Sequence, residues 1–321
     1  MFTVNEKIEK TPEMMREVYC KTLMELAENN ENIVVLDADL VSSSGMKPFF
    51  KAYPERAIQC GVAEANMIGI ASGLSSMGKV PFAHSFGCFA SRRVCDQIMI
   101  SAAYAQQNVR IIGSDPGVTA AYNGGTHMPF EDMGVLRSIA NIKLIEFTDT
   151  IMLADIVKQL ADLHGVYYLR MARKNVMGIY GEGSKFEIGR GNMLRDGRDV
   201  SIIASGIMIA EALTAADMLK AEGINARVVD MFTWKPIDSE LVEYCAATTG
   251  AIVTAENHNI IGGLGSAVAE AVVKSQLAPI EMVGITDRFG QVGTEDFLRK
   301  EYNLTAEAIV KAARKAIARK K

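Results

Sequence analysis

The chain has 321 residues, 49% of them hydrophobic and 7% aromatic, with a formal net charge of −4. That length allows one to three domains, and Lys and Arg scattered among Asp and Glu leave no basic footprint for a nucleic acid. No uninterrupted apolar run reaches membrane length, and the N-terminal "MFTVNEKIEK" has no apolar leader core. The five cysteines form no CxxC pair, so the expectation is a cytoplasmic chain with free thiols and no membrane partner. The four histidines (84, 127, 164 and 258) show no metal-ligand spacing, and no metal site is expected on this chain.

Short apolar runs alternate with helical patterns from the start. Thr11-Pro12 reads as an N-cap and first turn, opening a helix over 12–28. Strands follow at 32–40, 79–86, 109–115, 142–149 and 166–172, with helices at 64–77, 91–106 and 151–163 between them. This alternation predicts βαβ units and a mostly parallel sheet. The Gly-rich, charged stretch 175–199 reads as a linker running into a small hairpin. Alternation then restarts: strand 200–206, helix 207–222, strands 226–232 and 251–257, helix 264–276, strand 280–286 and a last helix from about 305. The fold class is α/β, with two doubly wound domains at 1–180 and 181–321 and a separate, smaller unit over 202–285.

In open α/β sheets, ligands bind beyond the carboxyl ends of the strands. Asp37 and Asp39, Ser85-Phe86 and Asp115 fall there, followed by a long Gly-rich loop, "SDPGVTAAYNGGTHMPFED" (114–132), which carries His127. Loops of this length in compact domains are usually functional. Glu64 is the one charged residue of "IQCGVAEANMIGIASGLSSMG" (58–78). An isolated buried acid needs a partner. Taken alone, Glu64 also reads as a first-turn carboxylate favoured by the helix dipole, and Asp37 and Asp39 as caps for the next segment. "GGLG" (262–265) lacks a full dinucleotide fingerprint, so tight helix packing is its expected role.

The order "DADL", "CGVAEANMIGIASGLSSMGKVPFAHSFGCFASRRVCDQI", "NGGTHMPFED", "RMARKNV" and "ENHNIIGGLGSAVAE" resembles the C-terminal half of transketolase over nearly the whole chain. The resemblance implies a pyrimidine-binding domain at 1–180, a transketolase C-terminal domain at 181–321, and transfer of a two-carbon ketol unit from a ketose or its phosphate to an aldose or its phosphate. It implies that Glu64 exchanges a proton with N1′ of the aminopyrimidine of thiamine diphosphate, that Phe86 and Phe89 line that ring, and that Asp39 lies near the thiazolium. It assigns His127 to the reacting centre and Arg16, Ser43, Ser114, Asn123 and Arg173 to the substrate. A planar guanidinium suits a phosphate tail. Asn123 stands where the family carries an aspartate facing the sugar's C2 hydroxyl, and Ser114 where it carries a histidine, so altered acceptor recognition is expected.

No Gly-Asp-Gly segment of the kind that holds the cofactor's diphosphate occurs. The resemblance is therefore to the C-terminal subunit of a split transketolase. Its N-terminal partner would hold the diphosphate and Mg²⁺ or Ca²⁺, and two copies of each subunit would assemble about a two-fold axis. The alternatives are the β subunit of a 2-oxo acid dehydrogenase component and a non-catalytic degenerate subunit.

Overall fold

The computed structural model describes residues 1–274 and 277–320, and its strands sort into two sheets. The first contains β1 (Ile33–Asp37), β2 (Ala57–Gln59), β3 (Val80–Phe86), β4 (Arg110–Ser114), β5 (Ile142–Glu146) and β6 (Val166–Met171). The second holds β7 (Asn192–Arg195), β8 (Val200–Ala204), β9 (Ala226–Asp230), β11 (Ile252–Asn259) and β12 (Ile280–Ile285). One further strand, β10 (Thr233–Lys235), joins the first sheet, whose order is β10-β5-β6-β4-β3-β1-β2; the second runs β12-β11-β8-β9-β7. Both are α/β sheets with mostly parallel pairing. β1, β3, β4, β6 and β8 are buried along their whole length, as expected where helices cover both faces.

Three sequence expectations need correction. The first helix is Met15–Asn29, not 12–28: Glu17 accepts the Met14 amide at 3.0 Å. Thr11 is held extended instead, its amide donating to the Val176 carbonyl at 2.8 Å and its own carbonyl accepting from Asn175 Nδ2 at 2.7 Å. The stretch 175–199 forms no hairpin. Met177 and Tyr180 bridge Lys10 and Val4, and β7 pairs antiparallel with β9. The expected helix 91–106 is broken into a 3₁₀ turn (Arg92–Val94), a short α turn (Cys95–Gln97) and a π-helix (Ile98–Tyr104). Within 202–285, β10 leaves the second sheet and pairs antiparallel with β5 of the first. The helix read over 264–276 spans Leu264–Val272, and its last two residues lie outside the described ones.

A buried polar knot joins the two sheets and anchors the long loop. Arg170, on β6 and fully buried, donates Nε to Asp132 at 2.9 Å and Nη1 to Glu146 at 2.5 Å. Its Nη2 donates to the carbonyls of Pro129 (3.2 Å) and Asn257 (2.9 Å). Asn257 in turn accepts the Val118 amide at 3.0 Å and donates to the Pro116 carbonyl at 2.9 Å. Gly117 has φ +50°, and a Cβ there would sit 2.1 Å from Asn257 Oδ1, so the loop start requires glycine. The "GGLG" segment opens the helix Leu264–Val272, and Glu256 accepts the amides of Leu264 (2.6 Å) and Gly265 (2.8 Å). A Cβ on Gly263 would meet Glu256 at 2.0 Å, which is the tight packing expected of this segment.

Candidate active site

Parallel order puts the carboxyl ends of β1, β3, β4 and β6 side by side, and the candidate residues collect along that edge. Glu64 opens the helix Glu64–Ser76 and is 3% exposed. Both its oxygens lie 2.9 Å from Nη1 of Arg93. The Arg93 guanidinium lies over the Phe89 ring, 3.9 Å from its centroid. Phe89 packs edge-on to His127 (centroids 5.2 Å apart), and Phe86 meets the same histidine at 5.8 Å and Phe89 at 6.2 Å. Thr126 Oγ1 lies 2.9 Å from His127 Nδ1.

From Phe86 the contacts continue into a polar group. The Arg173 guanidinium lies 4.8 Å from the Phe86 ring centre. It grips Asp115 with two nitrogens, Nε to Oδ1 at 2.8 Å and Nη2 to Oδ2 at 2.5 Å. Burial pushes the Asp115 carboxyl above the usual carboxylate range, and Arg173 pulls against it. Asn123 Nδ2 reaches the same carboxylate at 3.5 Å. Arg16 and Arg173 converge on one acceptor, the Ser43 carbonyl, at 3.2 and 3.5 Å. Ser114 is buried at the end of β4, its hydroxyl 3.4 Å from the Ser85 carbonyl.

Contacts therefore link Glu64, Phe89, Phe86, His127, Arg173, Asn123, Ser43 and Arg16 directly or through one neighbour. Asp39 stands apart on the rim: it is exposed, and its amide donates to Gln59 Oε1 at 2.7 Å. Asp37, not Asp39, caps the following turn, accepting from the Leu40 amide and from Ser44 Oγ at 2.8 Å. Asp39 (φ +65°), Asp115 (φ +58°) and Ala121 (φ +47°) all hold left-handed backbone in the loops around this edge. Such strain in non-glycine residues concentrates at functional sites.

Sequence reasoning missed three members: Arg92, Arg93 and Asp115's grip on Arg173. Arg92 fastens the long loop, pairing with Glu131 and donating to the Thr126 carbonyl at 3.4 Å. The signal was the "FASRR" run, which sets two arginines close behind Phe89, although the break at Ser91 leaves no periodic trace of which one turns back.

A two-domain α/β chain with an acid, aromatic and arginine cluster along one sheet edge defines a class, and comparison with known proteins gives the family. Residues 12–178 match the transketolase pyrimidine-binding domain and residues 189–309 the transketolase C-terminal domain. The chain belongs to the transketolase family, a family dependent on thiamine diphosphate, and corresponds to the C-terminal subunit of split transketolases. It is 48% identical to a 6-deoxy-6-sulfo-D-fructose transketolase subunit of Clostridium sp. (strain MSTE9), covering 95% of both chains. It is 35% identical to an apulose-4-phosphate transketolase subunit of Phocaeicola vulgatus, over 93% of this chain and 96% of that one. Among solved structures it resembles a split gene transketolase, an inactive β4 tetramer, with TM-score 0.90, 44% identity, and coverage of 96% of this chain and 99% of that one.

Proposed function

We propose that this chain is the aminopyrimidine-binding subunit of a two-subunit transketolase, moving a two-carbon ketol unit from a ketose with an anionic tail to an aldehyde acceptor. The observation that carries the reading is the contact path from buried Glu64, through Arg93 to the Phe89, His127 and Phe86 rings, and on to Arg173 and Asp115. The residues fit the cofactor's ring. A carboxylate that already accepts from a planar nitrogen group lies beside aromatic faces. When bound, the cofactor supplies a nucleophilic carbon and an electron sink.

The tasks at the aminopyrimidine and at the substrate fall to this chain. Glu64 holds a proton at the ring's N1′, a general acid–base role that needs the carboxyl within hydrogen-bond reach of the nitrogen. Phe86 and Phe89 hold the ring's faces, an aromatic contact worth about 0.5–1.5 kcal/mol beyond area burial, and Asp39 on the rim completes the cofactor's surroundings. His127 orients the substrate hydroxyl or moves its proton. Arg16 and Arg173 bind the anionic tail, beside Ser43, Ser114 and Asn123. Phosphate and sulfonate share the oxyanion chemistry that a guanidinium recognises, and relatives are named for both kinds of sugar.

Residues 1–180 carry this half-site in our reading, and 181–321 form the C-terminal domain. A partner subunit holds the diphosphate and Mg²⁺ or Ca²⁺, which need fixed oxygen donors, and two copies of each subunit assemble in the cytoplasm. The test is calorimetric titration of the chain with thiamine diphosphate and Mg²⁺, alone and with its Gly-Asp-Gly partner, followed by a panel of sulfonated and phosphorylated ketoses. Weak binding alone, with tight binding and ketol transfer on mixing, is expected. Submicromolar binding and full transfer by the chain alone overturn the split reading. Oxidative decarboxylation of pyruvate in place of transfer supports the 2-oxo acid dehydrogenase alternative.

A further inference from the structure

The acid that the proposed chemistry needs is engaged by another residue of the same chain. Glu64 offers both oxygens to Arg93, and the arginine's flat guanidinium lies on Phe89. An aminopyrimidine has the same requirements: a carboxyl to meet one ring nitrogen and an aromatic face to lie on. Among the described residues Arg93 has no other hydrogen-bond or ion-pair partner. Its side chain is 45% exposed, against 4% for Glu64. It projects from the one-turn 3₁₀ segment Arg92–Val94, ahead of the π-helix. Swinging it outward breaks only the Glu64 pair and the Phe89 contact. Its neighbour Arg92 is different, tied to Glu131 and the Thr126 carbonyl.

We propose that Arg93 is an internal plug that occupies the aminopyrimidine position, so that the ring gains Glu64 and Phe89 only when Arg93 swings away. The proposal rests on the aminopyrimidine reading above. A site that is open only part of the time binds with an affinity reduced by its open fraction. The plug therefore holds the unassembled chain in a low-affinity state, and the full cofactor with the partner's contacts supplies the free energy that displaces it. The plug is electrostatic and half in solvent, so salt weakens it. It also depends on the planar stack, which a lysine cannot reproduce.

The test uses binding, not turnover. The probe is 4-amino-5-hydroxymethyl-2-methylpyrimidine, titrated by ligand-observed NMR into the chain and into Arg93→Met and Arg93→Lys. Arg93→Met is expected to bind about tenfold more tightly, because a half-exposed ion pair and cation–π contact no longer compete. Arg93→Lys is expected between the two, and wild-type affinity is expected to rise from low to high salt while that of Arg93→Met stays flat. Adding Glu64→Gln to Arg93→Met should remove most of the gain. Equal, measurable binding by wild type and Arg93→Met overturns the plug and leaves the aminopyrimidine reading standing. No binding of the probe by any variant, with no thiamine diphosphate binding by the chain and its partner together, overturns that reading and the plug with it.

Discussion

Arg170 and Arg93 both face carboxylates, 24 and 29 residues away in the chain, yet they sit in opposite surroundings. Arg170 has no exposure, and each of its nitrogens is committed: Nε to Asp132, Nη1 to Glu146, Nη2 to two carbonyls. Its carboxylate partners are satisfied further, Asp132 by the Tyr168 hydroxyl at 2.8 Å and Glu146 by Ser205 Oγ at 2.6 Å. Arg93 commits one nitrogen, has a half-exposed side chain, and lies on a ring. A closed network of this kind fixes two sheets against each other. An open one leaves donors and a carboxylate for something that is not part of the chain. Completeness of pairing, more than the mere presence of an ion pair, separates the fastener from the site.

Breaking the fastener should have the largest effect. Arg170→Ala strands Asp132 and Glu146 in the interior, and removing one partner of a buried network costs about 3–5 kcal/mol. Urea unfolding should show a loss of that order, together with loosening of the 116–129 loop that Arg170 anchors at Pro129 and, through Asn257, at Pro116. A loss below about 1 kcal/mol, the worth of a surface pair, would erase the distinction drawn between the two arginines.

Glu64→Gln is the matching change at the open site. It should lower ketol transfer by the assembled enzyme by about 10²–10⁴, the range of a general acid–base group. Stability should shift by only about 0–1 kcal/mol, because its one charged partner is half in solvent. Hydrogen–deuterium exchange at the cofactor's reactive carbon gives the direct measurement. Unchanged exchange with a large drop in melting temperature would make Glu64 a structural residue like those around Arg170.

The sequence was most legible where one local signal decided the structure. Apolar runs gave β3, β4, β6 and β8 nearly to the residue, and the resemblance grouped Glu64, Phe86, Phe89, His127 and Arg173 in one site. What it hid depends on tertiary pairing. Thr11 lost its cap role because Asn175 and Val176 hold it extended. The three-residue strands β2 and β10 are too short to show a period of two, and β10 takes its place only by pairing with β5. The 91–106 helix has suitable periodicity, but Ser91 adopts φ −124°, ψ −90° and spends its hydroxyl on the Gly87 carbonyl at 2.6 Å, which ends one helical turn before the next starts. That break aims Arg93 at Glu64, and no pattern of apolar residues announces it.

The closed network also carries a pH signature. Burial pushes the Glu256 carboxyl up to about 8, from an ordinary 4.5. The folded protein thus keeps a proton that the unfolded chain has lost. For an acid raised in this way, folding stability falls as pH climbs from about 4.5 through about 8. His258, whose Nε2 lies 3.8 Å from Asp132 and whose Nδ1 lies 3.7 Å from Glu256, is pushed by burial down to about 4 from 6.5, and its cost appears only as pH drops below 6.5. Between pH 6.5 and 8, therefore, Glu256→Gln should show a flatter melting-temperature profile than wild type. Its absolute stability should be lower throughout, since the amide's NH2 cannot accept the second of the two helix amides, whereas either oxygen of a carboxyl can. Parallel profiles for the two proteins across that window would mean Glu256 is ionised in the folded state.

The smallest effect is expected at Asn123, on the open side. Its amide donates to Asp115 Oδ2 at 3.5 Å, and Asp115 is the residue that holds Arg173 in place. Asn123→Asp exchanges that donor for a second carboxylate. Like charges this close raise each other's proton affinity and repel. Asn123 is exposed, so solvent damps the repulsion, and the expected change in kcat/KM is about three- to tenfold, comparable to a weak surface pair. Direction is more informative than size. The new carboxylate accepts from a sugar hydroxyl more strongly than an amide does, so acceptors bearing a C2 hydroxyl should gain relative to those without one. The repulsion from Asp115 should at the same time raise KM for anionic-tailed donors through Arg173. Steady-state rates over a matched panel of hydroxyaldehydes and sulfonated or phosphorylated ketoses separate the two. If the ranking of acceptors and the KM values of the donors are both unchanged, Asn123 faces neither the sugar nor the arginine's partner in the assembled enzyme, and acceptor choice must be set by the other subunit.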